Sequence, residues 1–449
     1  MRKRFVGLRR LWTATDLRNR ILITVALLLI YRLAAHVPVP GVDREAIAAV
    51  LDSQTGTGNL LSLFDLLSGG TVSNFSVLAM GVYPYITAQI ILQLLIPIIP
   101  ALKARMEDDQ REGRQWMEKW TYYLAIPMAL LNAIGQIRLF QTGGVQIIPN
   151  FGFSGPNLLP TITTLITMTG GTMFAIWLGE LISEYGIRNQ GLSLIIFSGI
   201  VARMPQSVGA LWADQQTRYF AVSLFIVLAA ITVFAIVVVS QGRRNVPVMY
   251  PGRRVGNRQS MPVRGSLPLL VNMAGMIPII FASAILSFPA IIAGLFLGSQ
   301  TEWVRNFSLT IQNLFANPQN VGYITIYFSI VVLFTFFYTD VLFQQQNYGE
   351  NLKRSGAQVP GVTRGGPTQR YLNKVLRRIT LPGALLLGTV AVLPFLAGLL
   401  FVGLPTGGSQ GFFAIGSGLL IVVGVVKETF FGLETELKLR GYDDALLIR

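Results

Sequence analysis

Side chains able to do chemistry are few in this 449-residue chain, and their types exclude most reactions at once. Cysteine is absent and His36 is the single histidine, so neither a thiolate site nor a His-rich metal cluster can be built. Inside a membrane, an ionisable residue at mid-depth marks an ion or substrate pathway. Here such residues are scarce within the apolar runs: Arg32, Glu180, Glu184, Asp340, Lys427 and Glu428 fall towards the ends of theirs, where helix-end anchoring and snorkelling account for them. His36, ahead of Pro-Val-Pro-Gly, reads as an interfacial residue at a helix end. No Walker A sequence, no His-Glu-x-x-His and no Gly-x-Ser-x-Gly with a plausible triad is present. The pattern argues against an enzyme and implies no cofactor and no metal.

The elements that must position these residues are helices in lipid. With 52% hydrophobic and 13% charged residues, the bilayer is the expected solvent. Apolar runs of spanning length occupy roughly 21–37, 77–98, 120–140, 158–181, 191–208, 219–239, 268–292, 322–343, 380–402 and 411–431. The first follows a basic stretch, lacks a small-residue cleavage site and reads as a permanent helix. Of the +15 net charge, most falls in blocks. Arg2, Lys3, Arg4, Arg9, Arg10, Arg18 and Arg20 precede the first run, Lys103, Arg105, Arg111, Arg114 and Lys119 follow the second, and the loops 240–267 and 344–379 carry most of the remainder. The alternate loops are nearly free of Lys and Arg, which places both termini in the cytoplasm and makes DNA an unnecessary ligand. The expectation is an all-α polytopic protein of ten spans, divided into an N-terminal half (1–210) and a C-terminal half (211–449).

Several spans contain helix-disrupting residues, among them Pro84, Pro127, Gly275, Pro278, Pro289, Pro382 and Pro394, tolerated where neighbouring helices satisfy the freed backbone. Gly170 and Gly171 read as helix-packing points. The stretch 59–76 holds a short apolar helical pattern and then Gly-Gly, a re-entrant signature that requires surrounding protein or a water-filled cavity. Bulky aliphatics cluster beside the helix breakers: Val82 and Ile86 around Pro84, Leu192 and Ile196 opening the fifth run, Ile280 and Ile285 after Pro278, and Ile421 midway along the last. Such residues usually face lipid or pack, yet a ring of them would seal a pore by dewetting. The basic loops are open to two readings, topogenic charge with anionic-lipid contact or docking of a large acidic or RNA-containing partner. For function, the alternatives are a channel for polypeptide, a secondary transporter of a small solute, which should carry a midplane charge or half-helix site, and a membrane scaffold.

Long blocks in order resemble the SecY family of protein-conducting channel subunits: Tyr-Arg-Leu-Ala-Ala-His-Val-Pro-Val-Pro-Gly-Val-Asp at 31–43, Leu-Ser-Gly-Gly at 67–70, and Leu-Ala-Met-Gly-Val-Tyr-Pro-Tyr-Ile-Thr-Ala-Gln-Ile-Ile-Leu-Gln-Leu-Leu at 78–95. Trp-Leu-Gly-Glu at 177–180, Val-Asn-Met-Ala-Gly-Met-Ile-Pro-Ile-Ile-Phe-Ala-Ser at 271–283, Asn-Leu-Lys-Arg-Ser-Gly at 351–356 and Val-Pro-Gly at 359–361 continue it. The resemblance implies two five-helix halves around an hourglass channel in the cell inner membrane. It implies a plug containing Leu63, Phe64, Leu67, Ser68, Gly69 and Gly70, and a pore ring of Val82, Ile86, Leu192, Ile196, Ile280, Ile285 and Ile421. A lateral gate between the second and seventh helices would involve Gln93, Asn272 and Met276. Docking of a SecA motor ATPase or the ribosome would fall to Arg243, Arg244, Arg253, Arg254, Arg364, Lys374 and Arg377. Implied partners also include SecE-like and SecG-like small subunits, signal peptides, nascent chains and anionic lipids. The chain departs from the family pattern at Thr363, where an arginine is expected one place before Arg364, at Gln344-Gln345 in place of Asn-Pro, and in an extra residue within 186–193.

Overall fold

The computed structural model describes residues 15–43, 71–72, 74–102, 105, 110–142, 148, 151–152, 155–213, 218–250, 254–255, 258–259, 263–296, 301–315, 317, 320–400 and 407–439. Ten of the described helices have 16 residues or more: α1 (Thr15–Ala34), α2 (Tyr83–Ile98), α3 (Gln110–Thr142), α4 (Leu158–Tyr185), α5 (Gly191–Ala213), α6 (Arg218–Gln241), α7 (Ile277–Phe296), α9 (Val321–Gln346), α11 (Gly366–Leu400) and α12 (Gly407–Leu439). Two shorter helices, α8 (Glu302–Phe315) and α10 (Tyr348–Arg354), stand at opposite ends of α9. By length and composition, five helical stretches among the described residues can cross a membrane: Leu158–Tyr185, Val222–Gln241, Ile277–Gly294, Val321–Arg354 and Gly366–Ala397. Tyr83–Ile96 and Gly191–Gln206 are shorter apolar helices. Buried residues make up 17% of the α6 window against 56% of the α7 window, so α6 turns most of its surface outward while α7 lies within the bundle.

The helix breakers behave as lipid physics requires: Pro127, Pro205, Pro289, Pro382 and Pro394 all sit inside continuous helices. Two spans begin later than their apolar runs. Residues 77–82 are turns and α2 starts at Tyr83, because Gly81 (φ +52°) and, upstream, Phe75 (φ +39°) lie in the left-handed region. This irregular backbone is enclosed by protein. Thr71, Val72, Phe75 and Ser76 are fully buried, Val77 N–H donates to the Val37 carbonyl at 2.9 Å, and Phe75 meets Phe140 edge-on at 5.4 Å. Gly171 of α4 admits the Val77 carbonyl so closely that any Cβ there would collide with it, whereas Gly170 faces open space. Only one of the paired glycines is therefore a packing point.

The seventh span also starts late, since 268–270 belong to a strand. The loop after α6 is an antiparallel ribbon, β1 (Arg243–Tyr250) against β4 (Val263–Leu270), with the two-residue strands β2 (Arg254–Val255) and β3 (Arg258–Gln259) beyond it. This qualifies the all-α expectation. The signal was alternation: Val246 and Val248 on β1, and Leu267 and Leu269 on β4, share one face, which packs on Phe343, Leu352, Ala357, Val359, Leu372, Val375 and Leu376.

Candidate functional site: an apolar waist and a basic platform

At the centre of the bundle lies one apolar cluster to which α1, α2, α3, α4, α5, α7, α9 and α12 contribute. All seven aliphatics expected to line a pore fall within it. Val82, Ile86, Ile196 and Ile421 are buried, and Leu192, Ile280 and Ile285 are partly buried against them. They arrive from the N-cap of α2 (Val82), its first turn (Ile86), the start of α5, the first half of α7 and the middle of α12. Leu192 is differently placed from Ile196, since its Cδ2 lies 2.9 Å from where a Cβ on Gly179 of α4 would stand. The turn into α5 is tight there: Asn189 is left-handed (φ +58°), and Gly191 passes the Gly179 carbonyl too closely for any side chain.

Between α2 and α7 the Tyr83 hydroxyl donates to the Ala284 carbonyl at 2.6 Å. Gly135 of α3 receives the Ile291 side chain of α7 in direct contact. The three residues expected at a gate are all buried but have distinct surroundings. Met276 belongs to a second apolar cluster with Ile236, Ile279, Tyr323 and Leu387, and its side chain fills the notch left by Gly424 on α12. Asn272 donates through Nδ2 to the Gly275 carbonyl at 2.9 Å and shapes the turn into α7, with Gly275 at φ +65°. Gln93 Oε1 and Asn272 Oδ1 are buried without a hydrogen-bond partner among the described residues. Unpaired amide oxygens at this depth are costly unless water or another chain reaches them, by about 1–3 kcal/mol each.

Among residues expected in the plug and docking sets, Leu63, Phe64, Leu67, Ser68, Gly69, Gly70 and Arg253 lie outside the described residues. The remaining basic residues share one platform. Arg243 and Arg244 are exposed at the start of β1, Arg254 sits in β2 near the ribbon tip, and Arg364, Lys374 and Arg377 are exposed on the second loop and α11. The two loops are joined by backbone: Met249 N–H donates to the Gln358 carbonyl at 2.8 Å, and Gln358 N–H returns a bond at 2.9 Å. Arg364 Nε then donates to Gln358 Oε1 at 3.2 Å, which holds this guanidinium beside the ribbon. Arg377 is tied down on the flank, bonding Asp340 of α9 at 3.0 Å. Gly349 N–H donates to Gln369 Oε1 at 2.7 Å, fastening α10 to α11.

Sequence reading overlooked Arg203, an ionisable residue inside the fifth apolar run; it lies in α5 and bonds Gln206 Oε1 at 3.3 Å. It also missed a tie across the chain, in which Arg20 of α1 meets Glu436 of α12 at 3.5 Å while donating to the Gly186 carbonyl at 3.4 Å.

The family model for SecY matches residues 76–430. A protein translocase subunit SecY of Streptomyces griseus is 37% identical over 98% of this chain and 100% of its own length. Counterparts of the same name from Streptomyces scabiei and Chlamydia muridarum are each 35% identical, over 97% and 98% of this chain and 98% and 97% of theirs. Among solved structures, one described as a protein conducting channel superposes with a TM-score of 0.62 at 16% identity, covering 96% of this chain and 95% of that one. A second, concerned with the plug domain of SecY, superposes with a TM-score of 0.61 at 17% identity over the same shares. With the match running nearly end to end in sequence and in fold, the chain belongs to the SecY family.

Proposed function

We propose that the protein is the channel subunit of a protein translocase: a passive, gated pore through which unfolded polypeptide crosses the cytoplasmic membrane, and from which apolar segments leave sideways into lipid. The observation that carries this reading is the convergence of seven aliphatic side chains from α2, α5, α7 and α12 on one apolar waist in a chain belonging to the SecY family. Such a collar excludes hydrated ions by dewetting yet yields to an extended chain. Halves 1–210 and 211–449 move about it, and the seam between α2 and α7 is the exit, with Gln93, Asn272 and Met276 on the gate helices and their approaches. The stretch around Leu63–Gly70 acts as the plug. The basic platform receives a SecA-type motor or the ribosome, SecE-like and SecG-like subunits brace the bundle, and both termini face the cytoplasm. The chain itself hydrolyses nothing; the driving force comes from the docked partner. A small-solute transporter is not favoured, because the relatives over the whole length are protein translocase subunits.

Photo-crosslinking tests the reading. The chain contains no cysteine, so single cysteines carrying a photo-probe can be placed at Ile86, Ile196 and Ile280, with lipid-facing Phe234, 71% exposed, as control. A stalled secretory chain is expected to crosslink at the first three and not at the control. Adducts equal at all four, or at the control alone, would overturn the proposal.

A further inference from the structure

Helix α8 connects α7 to α9 at the end of the bundle opposite the basic platform, and its sequence divides into three sectors rather than two. Val304, Ser308, Ile311 and Phe315, spaced i, i+4, i+7, i+11, are the covered face: Ser308 is buried and the other three are partly buried. Phe315 packs against Ala290 and Ile291 of α7 beside Tyr83 and Leu131, and Leu314 closes on Gly322 at the start of α9. Glu302, Arg305, Asn306 and Asn313 form an exposed polar face, with Leu309 its one apolar member. Between the two runs a stripe that no neighbouring helix covers among the described residues. Trp303 is 74% and Phe307 55% exposed, and their rings stack at 5.9 Å and 12°.

Single exposed apolar residues are ordinary, but this stripe continues outward-facing surface on both sides. Phe296, ending α7, is 51% exposed, and Val321, opening α9, 64%. At the same end of the molecule Trp212 of α5 and Tyr219 of α6 form a second exposed aromatic pair at 6.0 Å. Trp and Tyr concentrate where headgroups meet acyl chains, because the ring is apolar and its edge can hydrogen-bond. A short helix with one polar face, one packed face and an aromatic stripe between them fits that boundary lying flat.

We infer that α8 is an interfacial anchor, its Trp303–Phe307 stripe seated at the headgroup–acyl boundary of the leaflet away from the basic platform, with a lipid surface as occupant. The anchor holds Phe315 in place against α7 next to Tyr83 and Leu131, so lipid at that surface bears on the seam between α7 and the α2–α3 pair. This inference needs only the membrane-spanning arrangement and is independent of what passes through the waist.

The test uses the full chain in vesicles of phosphatidylcholine and phosphatidylglycerol. Single cysteines are introduced as Trp303→Cys, Phe307→Cys, Asn306→Cys and Asn313→Cys, each carrying a nitroxide, and collisions with oxygen (lipid-soluble) and a nickel chelate (water-soluble) are compared by power saturation. All four positions are exposed, so folding is not at stake. The expected result is a severalfold preference for oxygen at 303 and 307 and the reverse at 306 and 313. Equal access of the nickel chelate to all four would put the stripe in water and overturn the inference. Shielding of 303 and 307 from both reagents would mean that protein, either a partner subunit or a second copy, covers the stripe, and would overturn it as well.

Discussion

At the scale of single residues, the waist and the glycine contacts make opposite demands. In the proposed collar Ile86 and Ile280 need only be bulky and apolar, since a dewetted constriction works by keeping water from bridging it. Replacing either by asparagine is expected to raise the ion conductance of the reconstituted protein in planar bilayers and to relax discrimination between functional and defective signal sequences. Unchanged conductance for both would count against the waist as the seal. Gly171, by contrast, must lack a side chain. Gly171→Ala sets a Cβ against the Val77 carbonyl and is expected to destabilise by about 1–3 kcal/mol as overpacking does. Gly170→Ala, one residue away in open space, should be neutral or stabilising by about 0.5–1 kcal/mol, because alanine costs less helix entropy than glycine. Thermal unfolding in detergent distinguishes the pair, and the two variants losing stability together would refute the contact.

Among the elements, the β1–β4 ribbon does most to organise the basic surface. It is not a floppy loop carrying charge: Val246, Val248 and Leu269 anchor it to α9, α10 and α11, and the Met249–Gln358 backbone pair welds it to the second loop. Val248→Asp buries a carboxylate among apolar side chains at a cost of several kcal/mol. The ribbon is then expected to detach, lowering affinity for a motor or ribosome while leaving single-channel conductance in place. Arg364→Glu leaves the fold intact and reverses one charge at the rim of that surface. It should weaken docking severalfold, mainly through the association rate, and more at low salt than at high. Binding measured by surface plasmon resonance at two ionic strengths checks both. Loss of conductance with retained binding would reverse the assignment.

For the molecule as a whole, two contacts tie the proposed halves together. Tyr83 of α2 bonds the Ala284 carbonyl of α7 on one side, and Arg20 of α1 reaches both Gly186 and Glu436 of α12 on another. Arg20 and Glu436 are 20% and 15% exposed, so reversing one of them sets two like charges together in a mostly covered place. Arg20→Glu alone is expected to lower thermal stability and shift the closed channel towards leak. The charge-swapped pair, Arg20→Glu with Glu436→Arg, should recover most of both, and a swap no better than the single variant would show that the tie does not join the halves.

Much of this molecule was legible before any coordinate. Apolar length marked the stretches that became long helices, and the alternation of Lys and Arg between loops gives the expected orientation, because a bilayer penalises charge at depth and cytoplasmic loops retain it. Proline inside those spans was expected to stay helical, and Pro127, Pro289, Pro382 and Pro394 do. The aliphatic positions could be named only through resemblance, since Ile86 and a lipid-facing Ile23 look alike in periodicity; what separates them is burial, 8% against 39% exposed. Tertiary structure alone decided that Gly171 and not Gly170 is a contact, that two basic loops separated in sequence by α7, α8 and α9 close into one platform around Val246 and Phe343, and that α8 turns Trp303 outward. Each of these depends on which residue distant in sequence comes to lie opposite, and local pattern carries no record of that.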